Sequence, residues 1–224
     1  MNVLLIGASR GIGLEFARQY LEAGDRVIAT ARDAEGLKRL SDLGAETLKL
    51  DVTNPASISG LSWKLDGEKL DVAIYVAGIF GTEPATSPPT QQAFDAMLHT
   101  NVLGLMQALP QVAPWVEEAD GQFAFLSSDM GCIGAVHSSR GWLYQVSKAA
   151  LNMAVVAAQP DYPRASFVLF NPGWVATDMG TAAAPLSPET SVAGMRRTLQ
   201  ELKNKLRPPH VPFLQWDGTA FETW

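Results

Sequence analysis

Seven short apolar runs, each bounded by Gly, Pro, Asp or Asn, recur along the chain between longer stretches of helical period. Such runs bury both faces of a strand, and the stretches between them are long enough to cross back over a sheet, the pattern of parallel strands joined by helices. The expected fold is therefore α/β, a Rossmann-like doubly wound parallel sheet of seven strands flanked by helices, in one domain covering residues 1–224. Strands are expected at Val3–Ile6, Arg26–Ala29, Thr47–Leu50, Val72–Val76, Gln122–Leu126, Ser166–Phe170 and Val211–Leu214. Helices are expected at Ile12–Ala23, Glu35–Leu43, Ala56–Leu65, Gln91–Trp115, Leu143–Ala158 and Pro188–Leu206. Gly81–Pro89, with three prolines, reads as a surface loop after the fourth strand.

Composition narrows the partners. A net charge of −6 and a pI near 5.1 give no long-range attraction to phosphate backbones, so nucleic acid is not an expected partner. Cys132 is the only cysteine, which rules out an intrachain disulfide and favours a reducing compartment. An apolar strand beginning at Asn2 leaves no room for a signal peptide, so the expected location is cytoplasmic. Ala96–Val116 carries no acidic or basic charge and has the length of a membrane span. It contains His99, Asn101, Gln107, Gln111, Pro110 and Pro114, and is read as a buried helix; no membrane partner and no metal are assigned.

The first strand runs into Gly7-Ala8-Ser9-Arg10-Gly11-Ile12-Gly13 and then a helix, which places glycines where the chain must turn tightly and approach a pyrophosphate. A strand-to-helix turn without ligand has the same spacing, so position in the strand-helix unit carries the assignment. An acid that would hold ribose hydroxyls is missing where the second strand ends in Thr30-Ala31-Arg32. Arg32 and Arg10 can instead clamp a 2′-phosphate, which favours NADP(H) over NAD(H) unless both are only solvated surface arginines. Asp51, past the third strand, suits either adenine contact or a helix N-terminus.

On the helix Leu143–Ala158, Tyr144 and Lys148 are four apart and share a face. A phenol titrates near pH 10 and shuttles protons poorly at neutral pH unless positive charge stabilises the phenolate, a charge that Lys148 and an oxidised nicotinamide would supply. Ser128, at the carboxyl end of the fifth strand, can hold a carbonyl oxygen while Tyr144 donates its proton to it. Asn101 is either a fourth member of this group or a satisfied structural amide.

Taken together, these motifs resemble the short-chain dehydrogenase/reductase family over nearly the whole chain. Gly7–Gly13 resembles the family's G-x-x-x-G-x-G, Asp51-Val52 its adenine-side pair, and Ala77-Gly78 the end of its fourth-strand motif. Asn101, Ser128, Tyr144 and Lys148 resemble the catalytic tetrad, and Asn171-Pro172-Gly173 the turn lining the nicotinamide, with Val175 and Thr177 on the carboxamide side. The run from Tyr144 to Met153, the run from Pro172 to Gly180 and the ending Trp216–Trp224 are similar to the C-factor and sniffer-like carbonyl reductases.

The resemblance implies NADPH-dependent carbonyl reduction, with Tyr144 as acid/base, Lys148 on the nicotinamide ribose and Asn101 holding a water for proton relay. The cofactor-binding set it implies is Gly7, Ser9, Arg10, Gly11, Ile12, Gly13, Arg32, Asp51, Val52, Ala77, Gly78, Tyr144, Lys148, Pro172, Gly173, Val175 and Thr177. Three departures stand out: Ile6 replaces a Thr, Tyr75-Val76 replace two Asn, and the gap from Ser128 to Tyr144 is longer than in many members.

Phe80, Met130, Ile133, Leu143, Trp174 and Met179 surround the expected nicotinamide face and suggest a hydrophobic aldehyde, ketone or quinone as the small-molecule substrate. The uncharged faces of Gln91–Trp115 and Leu143–Ala158 suggest a homo-oligomer, dimer or tetramer. A cofactor-sensing or C-factor-like signalling protein on the same fold is the rival reading. Retention of the Tyr/Lys pair weighs against it, as Arg10 and Arg32 weigh against an NAD-linked alcohol dehydrogenase.

Overall fold

Residues that alternate along the strands diverge to the two faces of one sheet. In β1 (Asn2–Ile6), Leu4 and Ile6 enter one core cluster while Val3 and Leu5 enter the other, and all four are fully buried. The computed structural model describes residues 1–203, 210–222 and 224. Its other strands are β2 (Arg26–Ala31), β3 (Glu46–Lys49), β4 (Val72–Tyr75), β5 (Gln122–Leu126), β6 (Ser166–Asn171) and β7 (Phe213–Gln215). They pair in parallel in the order β3-β2-β1-β4-β5-β6-β7. The order reverses direction between β1 and β4, so a crevice opens above the carboxyl ends of those two strands.

The helices are α1 (Gly11–Glu22), α2 (Ala34–Asp42), α3 (Pro55–Ser59), α4 (Leu61–Lys64), α5 (Gln91–Leu98), α6 (Gly104–Glu117), α7 (Trp142–Ala158) and α8 (Pro188–Lys203). Leu61, Leu105, Leu109, Val112 and Leu151 from α4, α6 and α7 fill one face with Phe123, Phe125 and Phe167 of the sheet. Phe16, Tyr20, Val192, Met195 and Leu199 from α1 and α8 fill the other. Burying each such side chain contributes about 1.5–3 kcal/mol, which fixes the helices on the sheet.

The expected boundaries shift where local chemistry overrides the apolar pattern. The helix expected at Ala56–Leu65 is two short helices broken at Gly60, with Asn54 accepting the amide of Ala56 at 3.0 Å as the N-cap of α3. The helix expected at Gln91–Trp115 is interrupted by a π turn at His99–Leu103, where the Gly104 amide donates to the carbonyl of His99. Hydrophobic period cannot show one extra residue in a turn. The described part of the last helix ends at Lys203, and its expected end at Leu206 lies outside the described residues.

Beyond β7 the chain turns at Gly218 (φ +94°) and returns antiparallel, with the Gln215 amide donating to Thr219 at 2.7 Å and that of Phe221 to Phe213 at 3.0 Å. Phe221 stacks on Phe213 with centroids 4.2 Å apart. The return covers an otherwise open sheet edge.

Candidate active site

Gly7 has φ +85°, and a Cβ there would lie 2.8 Å from the backbone of Ala77, so only glycine lets the ends of β1 and β4 close on each other. Its amide donates to Thr30 Oγ1 at 3.0 Å, and the next amide, of Ala8, to the Thr30 carbonyl at 2.9 Å. A Cβ on Gly13 would meet Ala8 Cα and the Gly7 carbonyl at 2.7 Å, which seats α1 directly on the turn. Arg10 takes the N-cap position with extended backbone and no side-chain cap, and no acid occupies the first turn of α1. The first amides of α1, at Gly11, Ile12 and Gly13, thus carry no capping carboxylate, and the helix end favours an anion.

The residues predicted for the adenine side are brought to the ends of β2 and β3. The acid next to Arg32, Asp33, is already used: its carboxylate accepts the Gly36 amide at 2.7 Å as the N-cap of α2. Arg32 is exposed and only 3.9 Å from Asp33. Asp51 accepts the amide and hydroxyl of Thr53 at 2.9 and 2.7 Å, and these bonds, the hydroxyl first, hold its carboxyl below the ordinary range, with Arg32 adding to the effect. Of the two roles open to Asp51 the N-cap is filled by Asn54, so Asp51 braces the loop ahead of it.

No motif or spacing marks Arg39; its Nε donates to the Ser9 carbonyl at 3.0 Å, and Gly36 is small because Ser9 Cβ would be 2.6 Å from its own Cβ. Arg10 reaches across to Asp178 at 3.4 Å, and a Cβ on Gly11 would meet Thr177 Cγ2 at 3.2 Å. The segment after β6 thus closes over the glycine turn.

On the other side of the crevice, Tyr144, Lys148, Ser128 and Asn101 are all buried. Lys148 Nζ donates to the Leu126 carbonyl, the last of β5, at 2.7 Å and lies 5.6 Å from the Tyr144 ring centroid. A Cβ on Gly78 would sit 3.7 Å from that ammonium and 3.3 Å from Asn101 Oδ1, so the end of β4 meets both. Burial pushes the Lys148 ammonium down to about 8. Burial also pushes the Tyr144 phenol above its ordinary value, against the opposing effect of its hydrogen bond with Ser128. The acidification expected from Lys148 is not what sets the phenol: burial dominates, the Asp129 charge adds to it, and the phenol keeps its proton. Ser128 itself is set by the short turn after β5, where its hydroxyl accepts the Met130 amide at 3.2 Å and donates to Asp129 at 3.0 Å.

Asn101, in the π turn, is a fully engaged amide. Its Oδ1 accepts from the Ile79 amide at 2.8 Å, and its Nδ2 donates to the Ile79 carbonyl at 2.9 Å and to Ser147 Oγ at 3.0 Å. Tyr75, one of the departures, is buried with its hydroxyl 3.5 Å from the Thr100 carbonyl in that turn. The Pro172-Gly173 turn is held from behind: Ser191 Oγ donates to the Pro172 carbonyl at 2.7 Å, and Asn171 Nδ2 to Gln215 Oε1 at 2.7 Å. A Cβ on Gly173 would meet Trp216 at 3.1 Å. Val175 bridges Leu186, and Thr177 Oγ1 accepts the Gly180 amide at 3.2 Å, which closes the following loop on itself. Ser191 and Trp216 carry no motif that marks them for this task.

Of the six apolar residues expected around the pocket, Phe80 lies against the Tyr144 ring with centroids 4.8 Å apart. Met130 lies against Gly141, just before α7, and Leu143 is half-buried on that helix. Ile133, Trp174 and Met179 are exposed.

The model of the family described as short chain dehydrogenase matches residues 1–186. C-signal of Myxococcus xanthus is 34% identical over 67% of this chain and 90% of its own length. A putative short-chain dehydrogenase/reductase from Burkholderia multivorans, solved with bound NADP, superposes with a TM-score of 0.89 at 29% identity, covering 100% of this chain and 99% of that one. Carbonyl reductase Sniffer of D. melanogaster superposes with a TM-score of 0.89 at 27% identity over 100% of this chain and 99% of its own. Among the described residues no helix is long and apolar enough to cross a membrane.

The buried ammonium has a consequence for stability. The unfolded Lys148 holds its proton up to about pH 10.5 while the folded one releases it near pH 8, so between these values the unfolded state binds more protons and stability rises with pH. Lys148→Met removes this dependence. Urea unfolding should show the stability of wild type gaining about 2 kcal/mol relative to the variant between about pH 7 and about pH 9.5. A difference that stays constant over that range would mean the ammonium is not desolvated.

Proposed function

The chain belongs to the short chain dehydrogenase family of oxidoreductases, and from that premise we propose that it reduces the carbonyl group of a small, hydrophobic aldehyde, ketone or quinone at the expense of NADPH. The observation that carries the proposal is the buried Tyr144 phenol, hydrogen-bonded to Ser128 and one helical turn from Lys148, at the carboxyl end of the sheet. When bound, the nicotinamide supplies a hydride to the carbonyl carbon.

The residues present fit a dinucleotide. The Gly7 cradle would be filled by any Cβ, the α1 N-terminus lacks a competing acid, and Asp33 is committed to its cap. Gly11, Ile12 and Gly13 would hold the pyrophosphate, Ser9, Arg10 and Arg32 the 2′-phosphate side, and Asp51 and Val52 the adenine side. Ala77, Gly78, Pro172, Gly173, Val175 and Thr177 would line the nicotinamide end, with Tyr144 and Lys148 on its ribose.

Ser128 holds the substrate oxygen, and Tyr144 donates its proton to that oxygen as negative charge develops there. A phenol kept protonated by burial is in the form a reductase needs. Lys148, anchored on Leu126, places its charge beside the phenol at the moment the phenolate forms. Asn101 would support a water in the proton path, although its side chain is already spent on Ile79 and Ser147. We infer a cytoplasmic setting, consistent with a lone, buried Cys132. Similarity to C-signal leaves a signalling role compatible with catalysis, and the intact Tyr/Lys pair favours the enzyme.

Exposed Leu103 and Met106 on the α5–α6 helix and Trp142, Val146 and Met153 on α7 give an apolar surface suited to a second copy. Light scattering at micromolar concentration should return the mass of a dimer or tetramer, and a monomer mass would remove the oligomer.

Turnover of a carbonyl panel with NADPH should be lost in Tyr144→Phe, by a factor of about 10²–10⁴, with NADPH affinity retained. Full activity in the variant would take the phenol out of the chemistry. Fluorescence titration should show NADPH binding more tightly than NADH, and Arg10→Ala together with Arg32→Ala should erase most of that preference. Tighter NADH binding in the wild type would overturn the cofactor assignment.

A further inference from the structure

The loop that follows β4 is stapled at both ends. At one end the side chain of Asn101 grips both backbone groups of Ile79, at 2.8 and 2.9 Å. At the other, the first amides of α7, which has no side-chain cap, are taken by the loop: Gly141 N donates to Thr82 O at 3.2 Å and Trp142 N to Glu83 O at 3.1 Å. Only Phe80 and Gly81 lie between the two grips.

Both glycines involved are tight. A Cβ on Gly141 (φ +73°) would lie 2.9 Å from the Gly81 carbonyl and from Met130 Cε, and one on Gly81 would lie 3.3 Å from Met97 Cε. Within this frame the Phe80 ring stands at 82° to the Tyr144 ring, centroids 4.8 Å apart, and remains only half-buried. An aromatic surface is therefore held, with little freedom, edge to face against the ring of Tyr144.

We propose that Phe80 is the specificity-determining residue of the site: a fixed aromatic wall that selects carbonyls bearing a flat, unsaturated substituent over those bearing a puckered, saturated one. The inference rests on the proposed placement of the substrate oxygen at Tyr144 and Ser128. A ring of fixed orientation rewards a flat partner through offset or edge-on contact, and a saturated ring of equal carbon number cannot match it. Asn101 acts here as a positioning residue, since its amide fixes the loop that carries the wall.

The test uses the protein saturated with NADP+, in which a ketone has no hydride to accept, so binding is read without turnover. Acetophenone and cyclohexyl methyl ketone are titrated by calorimetry into wild type, Phe80→Leu and Phe80→Ala. Wild type should prefer acetophenone by about threefold to tenfold, the range of one aromatic contact. Both variants should bring the ratio close to one while NADP+ affinity stays unchanged. A ratio that survives both substitutions, or a wild type without preference, overturns the wall. Reduction of the same ketones by NADPH is scored separately. Selective binding without reduction would defeat the proposed reaction and leave the wall standing; reduction with an unaltered ratio would do the reverse.

Discussion

A charge with almost no contact with water sits at the carboxyl end of the sheet, and much of the site is arranged around it. Desolvating an ammonium costs several kcal/mol unless it is hydrogen-bonded. Lys148 offsets part of that by donating to the last carbonyl of β5. The neighbouring backbone gives way to it. A Cβ on Gly131 would lie 2.8 Å from Lys148 Cβ, and Gly78 brings the end of β4 within reach of the ammonium. The 3₁₀ turn that orients Ser128 is thereby pressed against α7, so Tyr144, Ser128 and Lys148 share one rigid support. The same burial that strains the lysine keeps the phenol protonated.

Much of this was legible in the sequence because the fold repeats simple rules. Buried strands need continuous apolar runs, parallel strands need crossovers, and the close contact of Gly7 with Ala77 needs a residue without a side chain. Tyr144 and Lys148 could be paired from helical spacing alone. What stayed hidden depends on contacts between distant segments or on single backbone atoms. The π turn adds one residue to a turn without disturbing the apolar pattern, and β7 starts at Phe213 instead of Val211 because Pro212, whose carbonyl accepts the Leu169 amide at 2.9 Å, has no N–H to give to the sheet. Arg39 and Ser191 act on carbonyls far away in sequence and no local pattern marks them, while the resemblance of the ending Trp216–Trp224 does not show that Trp216 packs on Gly173 and Gly194.

The departures at the end of β4 are compensated through the backbone. In the π turn the Gly104 amide bonds His99, five residues back, and so bypasses the Thr100 carbonyl that an α-helix would have given it. The Tyr75 hydroxyl lies 3.5 Å from that bypassed carbonyl, at the edge of hydrogen-bonding range. Gly104 leaves room for it, since a Cβ there would sit 3.0 Å from the same hydroxyl and 2.6 Å from the Val52 carbonyl. A buried phenol in a low-dielectric core thus stands where a shorter amide would be expected, and Ile6, beside it in the same cluster, needs no polar partner. The substitutions form one apolar solution to supporting the turn that carries Asn101.

The carboxyl-terminal third shapes the site indirectly. Gly173 takes a positive φ of +80°, which only a turn held on all sides keeps in place without a side chain of its own. That turn is tied by Ser191 of α8 through Pro172 and by Gln215 of β7 through Asn171. Trp216 is wedged between Gly173 and Gly194, where a Cβ on the latter would meet its ring at 2.6 Å. Both glycines are therefore required by one indole, and the indole is fixed in turn by the antiparallel return that closes the sheet edge. Edge protection and placement of the Pro-Gly turn are the same set of contacts, so loosening the antiparallel return would be felt at Pro172-Gly173.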